Sequence, residues 1–533
     1  MWVDRIVEEI LAGSPEGARA RHVINDAKTP SGYIHVGSLR GVILHDCIYR
    51  GLTAAGAAVE YLYGFDDLDP MDDLPTYLGE EFQKYMGMPL CHIPSPDPRA
   101  ESYARYFGEE FIEIFTATGC HPKVYWTSDL YLQGRFNEAI RLVLDRAEEI
   151  REIEREVRGS RRLEGRYPLH VICERCGKIG TTAVIGWDGR EVEYECRPDL
   201  VTWAQGCGYR GVRSPFNGNA KLPYRIEWAA KWQILGVTVE GAGKDHFTRG
   251  GSHDVAAAIS TRIFHYPVPY PIPYEFVLTG GGRKMSSSRA VGVFAREIMQ
   301  VLRPELVRFL MVRNHPRRPI EFEPDGETIP RLYDEYDRAA AAYFGEIEDP
   351  DLARTFFYAR IEGEQPRCFR MRFSKVAFLL QMPNVDLAVE ATKEKGSPLT
   401  SEDREELAQR VRDARKWLET YAPDHYRFTV QEVLPPAASQ LSPEQREFLK
   451  RLAQILEERE WPGEELHGRI HALKEEMGLA AREAFAAIYL VLLGKDSGPQ
   501  AGWFLAALDR AFVIQRFREA SALLHDRLGG GLR

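Results

Sequence analysis

The chain has 533 residues, too many for one hydrophobic core and enough for three or four domains. Hydrophobic residues make up 44% and charged residues 28%, an ordinary balance for a soluble globular protein. The net charge of −10 argues against non-specific coating of nucleic acid, though not against a local basic face. Asp4, Arg5, Glu8 and Glu9 stand where a secretory signal would be apolar, and Ala484 to Leu493 is too short to span a bilayer. A cytoplasmic chain with no membrane partner is expected.

From the N-terminus, His22 to Asn25 is a short apolar stretch that runs into the turn Thr29-Pro30-Ser31-Gly32, and Gly41 to Ala54 reads as a helix. This strand–turn–helix opening is that of a Rossmann-like domain. Val59 to Phe65 reads as the next strand and ends in the acidic loop Asp66-Asp67-Leu68-Asp69. The spacing of Ile140, Val143, Leu144, Ala147, Ile150, Ile153 and Val157 predicts one helix over 136–157. Residues 166–215 read as a small cysteine-rich insert with short strands. From Leu222 the α/β pattern resumes. After about residue 330 the chain reads as helical, with Leu407, Val411 and Leu418 on one face. Pro435-Pro436 begins a linker, and Ser442-Pro443-Glu444-Gln445 starts a helix with a capping box.

Eight cysteines are present. Cys47, Cys91, Cys120 and Cys368 are scattered and read as free thiols. Cys173, Cys176, Cys196 and Cys207 cluster, which in a cytoplasmic chain points to metal. Cys173-Glu174-Arg175-Cys176 is a two-residue knuckle, and Cys207-Gly208 resembles half of a second. Four thiolates leave no open coordination position, so one structural zinc is expected, with a loop of reduced thiols as the alternative.

Two motifs carry chemistry. The first is Pro30-Ser31-Gly32-Tyr33-Ile34-His35-Val36-Gly37-Ser38. His35 and Ser38, at the mouth of a helix that follows a strand, can donate to phosphates. Gly37 lacks a Cβ, so a flat base could lie against its backbone. The second is Lys284-Met285-Ser286-Ser287-Ser288, a cation beside hydroxyls after a glycine run, suited to pyrophosphate. The acidic loop Asp66, Asp67 and Asp69 could touch magnesium or be ordinary loop solvation. Arg303, Arg308, Arg313, Arg317 and Arg318 are spaced to meet RNA phosphates, or form a solvated helix face.

In this order, about 250 residues apart, the two motifs resemble the signatures of class I aminoacyl-tRNA synthetases. Ser38 stands where that class usually ends its first signature in His or Asn. Ser287 replaces the second lysine of the other, which leaves Lys284 as the loop's cation, with Arg283 nearby. Lys244-Asp245-His246, Leu222 to Trp228, Pro273-Tyr274-Glu275-Phe276 and Gly494 to Pro499 resemble the lysine-specific branch, over nearly the whole chain.

The resemblance implies an α/β fold: a Rossmann-like catalytic domain with a zinc-binding connective insert and an all-α C-terminal helix-cage domain. The expected boundaries are 1–85 and 221–275 for the two Rossmann halves and 86–220 for the insert, with its four-cysteine zinc site at 166–215. A linking region with the lysine-serine loop follows at 276–330, and an anticodon-binding domain at 331–533. The implied activity is ATP-dependent activation of L-lysine to lysyl-adenylate and transfer to the 3′ end of tRNA(Lys). His35, Ser38, Lys284 and Ser287 are the implied catalytic residues. Pro30, Ser31, Gly32, His35, Gly37, Ser38 and Lys284 to Ser288 would hold ATP, with Mg2+ bridging its phosphates. A lysine pocket needs an acceptor for the ammonium and an apolar wall, and Ala27, Thr29, Tyr224, Trp228 and His246 are its candidates. By resemblance, Tyr224 stands where a tryptophan is usual and Ala27 where a glycine is usual, which bears on the strictness of lysine selection. Relatives often carry a second zinc site before a Glu-Ser-Tyr-Ala run. Here Glu101-Ser102-Tyr103-Ala104 is present, but Ser95, Arg99, Ala100 and Tyr106 fill the ligand positions, so that site is expected to be missing. Two other readings remain: a paralogue that aminoacylates a non-tRNA acceptor, and a non-catalytic RNA-binding regulator. Oligomeric state is open, with a monomer the simpler expectation.

Overall fold

A computed structural model describes residues 1–14, 21–159, 165–278, 282, 294–361, 363 and 366–522. The second signature, Lys284 to Ser288, lies outside the described residues.

After the Trp2–Gly13 helix, β1 (Arg21–Lys28) leads through a 3-10 turn, Val36–Ser38, into the Leu39–Ala54 helix. That helix is buried along most of its length, and the polar residues it buries, Arg40, His45 and Asp46, are each held by hydrogen bonds or ion pairs inside the fold. It returns the chain to β2 (Ala58–Phe65), parallel to β1 in register from Arg21 opposite Ala58 to Lys28 opposite Phe65. β3 (Lys123–Trp126) adds to the far side of β2. The cysteine-rich insert contributes β4 (His170–Val171), β5 (Thr182–Trp187), β6 (Val192–Cys196), β7 (Arg210–Arg213) and β8 (Ala220–Lys221). Strands β5, β6 and β7 form an antiparallel sheet and β4 pairs with β8.

The chain then returns through the Tyr224–Leu235 helix to β9 (Val239–Gly243) and β10 (Tyr270–Tyr274). The described central sheet runs β10-β9-β1-β2-β3, all parallel. Strand order reverses between β1 and β9, so the chain leaves their C-terminal ends in opposite directions and opens a crevice there. Two short strands, β11 (Val277–Leu278) and β12 (Ile320–Glu321), pair beside it.

The chain divides into two compact units. One comprises Met1–Phe322 with Arg338–Gln365, and the other Glu323–Asp337 with Pro366–Arg533. The expected boundary at residue 330 is therefore not where the units part. Arg338–Gln365 belongs with the first unit, where Arg354 pairs with Asp4 and the Tyr358 carbonyl accepts from Arg308. The second unit is built of helices around a core that includes Phe448, Leu452, Ile470, Ile488 and Phe517. Its Pro443–Glu458 helix begins with the expected capping box between Ser442 and Gln445.

Three sequence expectations change. The single helix over 136–157 is two, Asn137–Asp145 and Ala147–Arg158, because Arg146 leaves helical geometry and its guanidinium donates to the carbonyls of Arg262 and Ile263. In the Ser401–Thr420 helix the fully covered stripe runs through Leu407, Arg410, Ala414 and Trp417, while Val411 and Leu418 are half-buried. Arg308 is no phosphate contact. It is fully buried and donates to Asp46 at 2.7 Å and to the carbonyls of Thr118 and Tyr358. Leu306 to Met311 is likewise covered inside the first unit, in the Pro304–Val312 helix.

Candidate functional site

The crevice at the switch point holds a cleft whose floor is β1 and β9 and whose wall is the Tyr224–Leu235 helix. Of the pocket candidates, Ala27, Tyr224, Trp228 and His246 line it together. The rings form a continuous wall: Tyr224 and Trp228 stack at 5.7 Å between centroids, and Trp228 meets His246 edge-on at 5.9 Å. Trp228 is buried, whereas Tyr224 is exposed at the rim. Thr29 is not among the lining residues, and its Oγ1 donates to Asp69 at 2.6 Å.

Sequence reasoning missed the anion at the bottom of the cleft. Glu240 is 4% exposed. It accepts from Trp228 Nε1 at 2.9 Å and from Asn25 Nδ2 at 3.0 Å, both neutral donors. Burial pushes its carboxyl up to about 7. The one available signal was a lone glutamate in the run Val239-Glu240-Gly241-Ala242-Gly243, where an apolar side chain would serve a buried strand better.

Beside it lies a buried ionic cluster. Lys231 pairs with Asp66 and with Glu227 at 3.1 Å, and Lys221 pairs with Glu227 at 2.7 Å and Asp69 at 3.0 Å. Three carboxylates thus face two ammonium groups. Burial alone would raise Asp66, but the lysines hold it below its ordinary value. Asp67 accepts from the Ser128 amide at 2.8 Å and from its hydroxyl. The acidic loop is therefore committed to protein partners, and no magnesium contact is assigned to Asp66, Asp67 or Asp69.

The first signature sits at the adjoining helix mouth. His35 caps the 3-10 turn, and Ser38 Oγ lies 3.5 Å from His35 Nε2. Both side chains are half-buried and placed at the positive end of the Leu39–Ala54 helix. A Cβ on Gly37 would come within 3.2 Å of Val277 Cβ and 3.0 Å of the His35 ring, so only glycine leaves this face open. Pro30 and Gly32 are buried in the turn. The Ser31 carbonyl accepts from Tyr103, and Tyr77 Oη would lie 2.3 Å from a Cβ on Gly32. Lys284, Met285, Ser286, Ser287 and Ser288 lie outside the described residues, but the segment that carries them leaves from β11 and rejoins at Phe294. Phe294 bridges to His35, and the Ala295 amide donates to Ile34 O at 2.8 Å.

In the insert, the sulfurs of Cys173, Cys176, Cys196 and Cys207 all lie within 4.8 Å of one another. Cys173 and Cys207 are 3.7 Å apart, and Cys176 and Cys196 are 3.6 Å apart. A tetrahedral Zn–S distance of about 2.3 Å implies sulfur separations of about 3.8 Å, so the donor set fits zinc. The long spacing from Cys196 to Cys207 is accommodated because residues 197–206 loop out and the Cys207 amide returns to donate to Cys196 Sγ. Gly177 and Gly208, each following a knuckle's second cysteine, have φ of 72° and 75°, which favours glycine.

The family model for class I (K) tRNA synthetases matches residues 1–362, and that for an anticodon binding domain matches residues 397–521. A lysine–tRNA ligase of Methanosarcina barkeri is 34% identical over 543 residues, covering 98% of this chain and 97% of that protein. One from Archaeoglobus fulgidus is 34% identical over 521 residues, covering 97% and 99%. One from Methanocaldococcus jannaschii is 32% identical over 537 residues, covering 97% and 99%. With its fold, its first signature and its whole length in agreement, the chain belongs to the class I (K) family of tRNA synthetases.

Proposed function

We propose that the protein is a lysine–tRNA ligase, and that the crevice between β1 and β9 selects the lysine. The observation that carries this reading is Glu240, a buried carboxylate with neutral hydrogen-bond donors under an aromatic wall. Lys231 of the cleft is engaged with Asp66 and Glu227, and a lysine side chain would bring Glu240 a charged donor beside its neutral ones and lay four methylenes along Trp228 and Tyr224. Full-length likeness to lysine–tRNA ligases supports the same substrate.

ATP would lie with its base against Gly37 and its phosphates at the helix mouth, where His35 and Ser38 donate. Pro30, Ser31 and Gly32 shape the turn beneath it, and Lys284 with Met285, Ser286, Ser287 and Ser288 completes the donor set on the pyrophosphate side. Magnesium, when bound with ATP, neutralises phosphate charge. The lysine carboxylate attacks the α-phosphorus and pyrophosphate leaves. The terminal ribose hydroxyl of tRNA then attacks the adenylate carbonyl, and AMP leaves. No side-chain nucleophile is needed, since alignment and preorganised donors do most of the work.

Cys173, Cys176, Cys196 and Cys207 would hold one zinc ion that fixes the insert and takes no part in the reaction. The helical unit, matched by the anticodon-binding family over 397–521, supports tRNA as the acceptor over a carrier protein. The test is charging of tRNA(Lys) with labelled lysine, with and without ATP. Acid-precipitable lysine that depends on ATP and on intact tRNA is expected. Lysine transferred to protein alone would overturn the reading.

A further inference from the structure

Arg40 lies two residues beyond the first signature, on the first turn of the Leu39–Ala54 helix, and is 0% exposed. A buried guanidinium ordinarily meets a carboxylate. This one meets main-chain carbonyls: Nη1 donates to Phe276 O at 3.3 Å, and Nη2 faces the carbonyls of Pro316 at 2.9 Å, Arg318 at 2.7 Å and His315 at 3.4 Å. Burial lowers it to about 10, so it stays protonated at neutral pH.

Those carbonyls have a common location. Phe276 immediately precedes β11, and residues 315–318 immediately precede β12, the strand that pairs with it. The Glu275 amide donates to Pro316 O and the Ile320 amide to Phe276 O, which ties the same two segments together. The segment carrying Lys284 departs from β11. At its other end Phe294 and Ala295 are bonded to His35 and Ile34 of the first signature. Among the described residues, the two roots of the segment are thus tied to the first signature and its helix, one through backbone pairing with Ile34 and His35 and the other through the Arg40 guanidinium.

We propose that Arg40 is a positioning residue for adenylate formation: it fixes the departing root of the Lys284 segment against the helix whose mouth holds the phosphates. Lysine cannot replace it, because one ammonium cannot span carbonyls on two segments as a planar guanidinium does. The effect falls on the step in which pyrophosphate leaves and spares transfer to tRNA, where no pyrophosphate is present. This rests on the ligase reading above. If lysine supports no exchange in the unaltered protein, that reading has failed and Arg40 is not at issue.

The experiment compares the unaltered full chain with Arg40→Lys and Arg40→Gln. Lysine affinity is read by calorimetry without ATP, adenylate formation by single-turnover kinetics, and transfer from preformed lysyl-adenylate separately. The expected result is a loss of at least tenfold in the rate of adenylate formation, with lysine affinity and the transfer rate each within about twofold. Equal losses in both chemical steps would overturn the proposal. So would loss of lysine binding in both variants, which would make Arg40 a folding residue, or unchanged adenylate formation in both.

Discussion

Trp228 Nε1 donates to the Glu240 carboxylate at 2.9 Å, so the aromatic wall of the cleft and the anion at its floor form one unit. On the proposed reading, a substrate ammonium at Glu240 lies next to Trp228, so a change at either residue is expected to be felt in lysine binding.

Glu240→Gln keeps the size and removes the charge. Lysine affinity should fall roughly a hundredfold, about 3 kcal/mol, the scale for removing one partner of a buried charge pair. Calorimetric titration with lysine checks it. An affinity within threefold of the unaltered protein would place the ammonium elsewhere.

The same group gives a pH dependence. Its folded-state carboxyl is raised from 4.5 to about 7 by burial. Between those values the folded protein holds a proton that the unfolded chain has released. Glu240 therefore makes stability fall as pH rises from 4.5 through 7, and the free protein carries the cost of a buried anion above 7. Lysine binds the ionised form, so its affinity should weaken as pH falls below about 7. The dissociation constant measured across the mildly acidic to mildly basic range tests this, and Glu240→Gln should flatten the profile.

Lys284→Ala should slow adenylate formation by about two to three orders of magnitude while lysine affinity stays nearly constant, because the cation acts on charge that develops as pyrophosphate leaves. Parallel single-turnover and binding measurements separate the two. Equal losses in binding and rate would count against that role.

Metal analysis should find one zinc per chain. Chelation or Cys196→Ser should release it and lower the melting temperature of the insert, because metal affinity here is folding energy. Two zincs per chain would mean that the region around Ser95, Arg99, Ala100 and Tyr106 binds metal after all.

Chemistry and tRNA reading should be separable, but not by cutting near residue 330, since Arg338–Gln365 belongs with the first compact unit. Replacing exposed arginines of the helical unit, such as Arg482 at 91% side-chain exposure, is the cleaner route. The Michaelis constant for tRNA should rise, more so at higher salt, with pyrophosphate exchange intact. A fall in both activities in a folded protein would make the helical unit a support for the cleft.

Much of this was legible because the relevant signals are local. His35-Val36-Gly37-Ser38 marks its own helix mouth, Ser442 to Gln445 caps its own helix, and the first cysteine knuckle is complete in four residues. What stayed hidden depends on partners distant in sequence. Glu240 becomes significant only when β9 lies beside β1 and Trp228 turns toward it. Arg308 reads as one of five spaced cations until Asp46 and the Thr118 carbonyl enclose it. The break at Arg146 follows from carbonyls more than 100 residues away, and the apolar periodicity continues across it undisturbed. Thr29 is a pocket candidate in the sequence, yet in the fold its hydroxyl donates to Asp69, a partner 40 residues away.

The most direct measurement is ATP–pyrophosphate exchange across the proteinogenic amino acids, with ornithine added to the set and all at matched concentrations. Exchange should depend on lysine, with arginine and ornithine each at least tenfold weaker, since the cleft pairs a cation at fixed depth with an apolar wall. Exchange driven by another amino acid, or equal exchange with lysine and an uncharged residue, would contradict the assignment of this cleft to lysine.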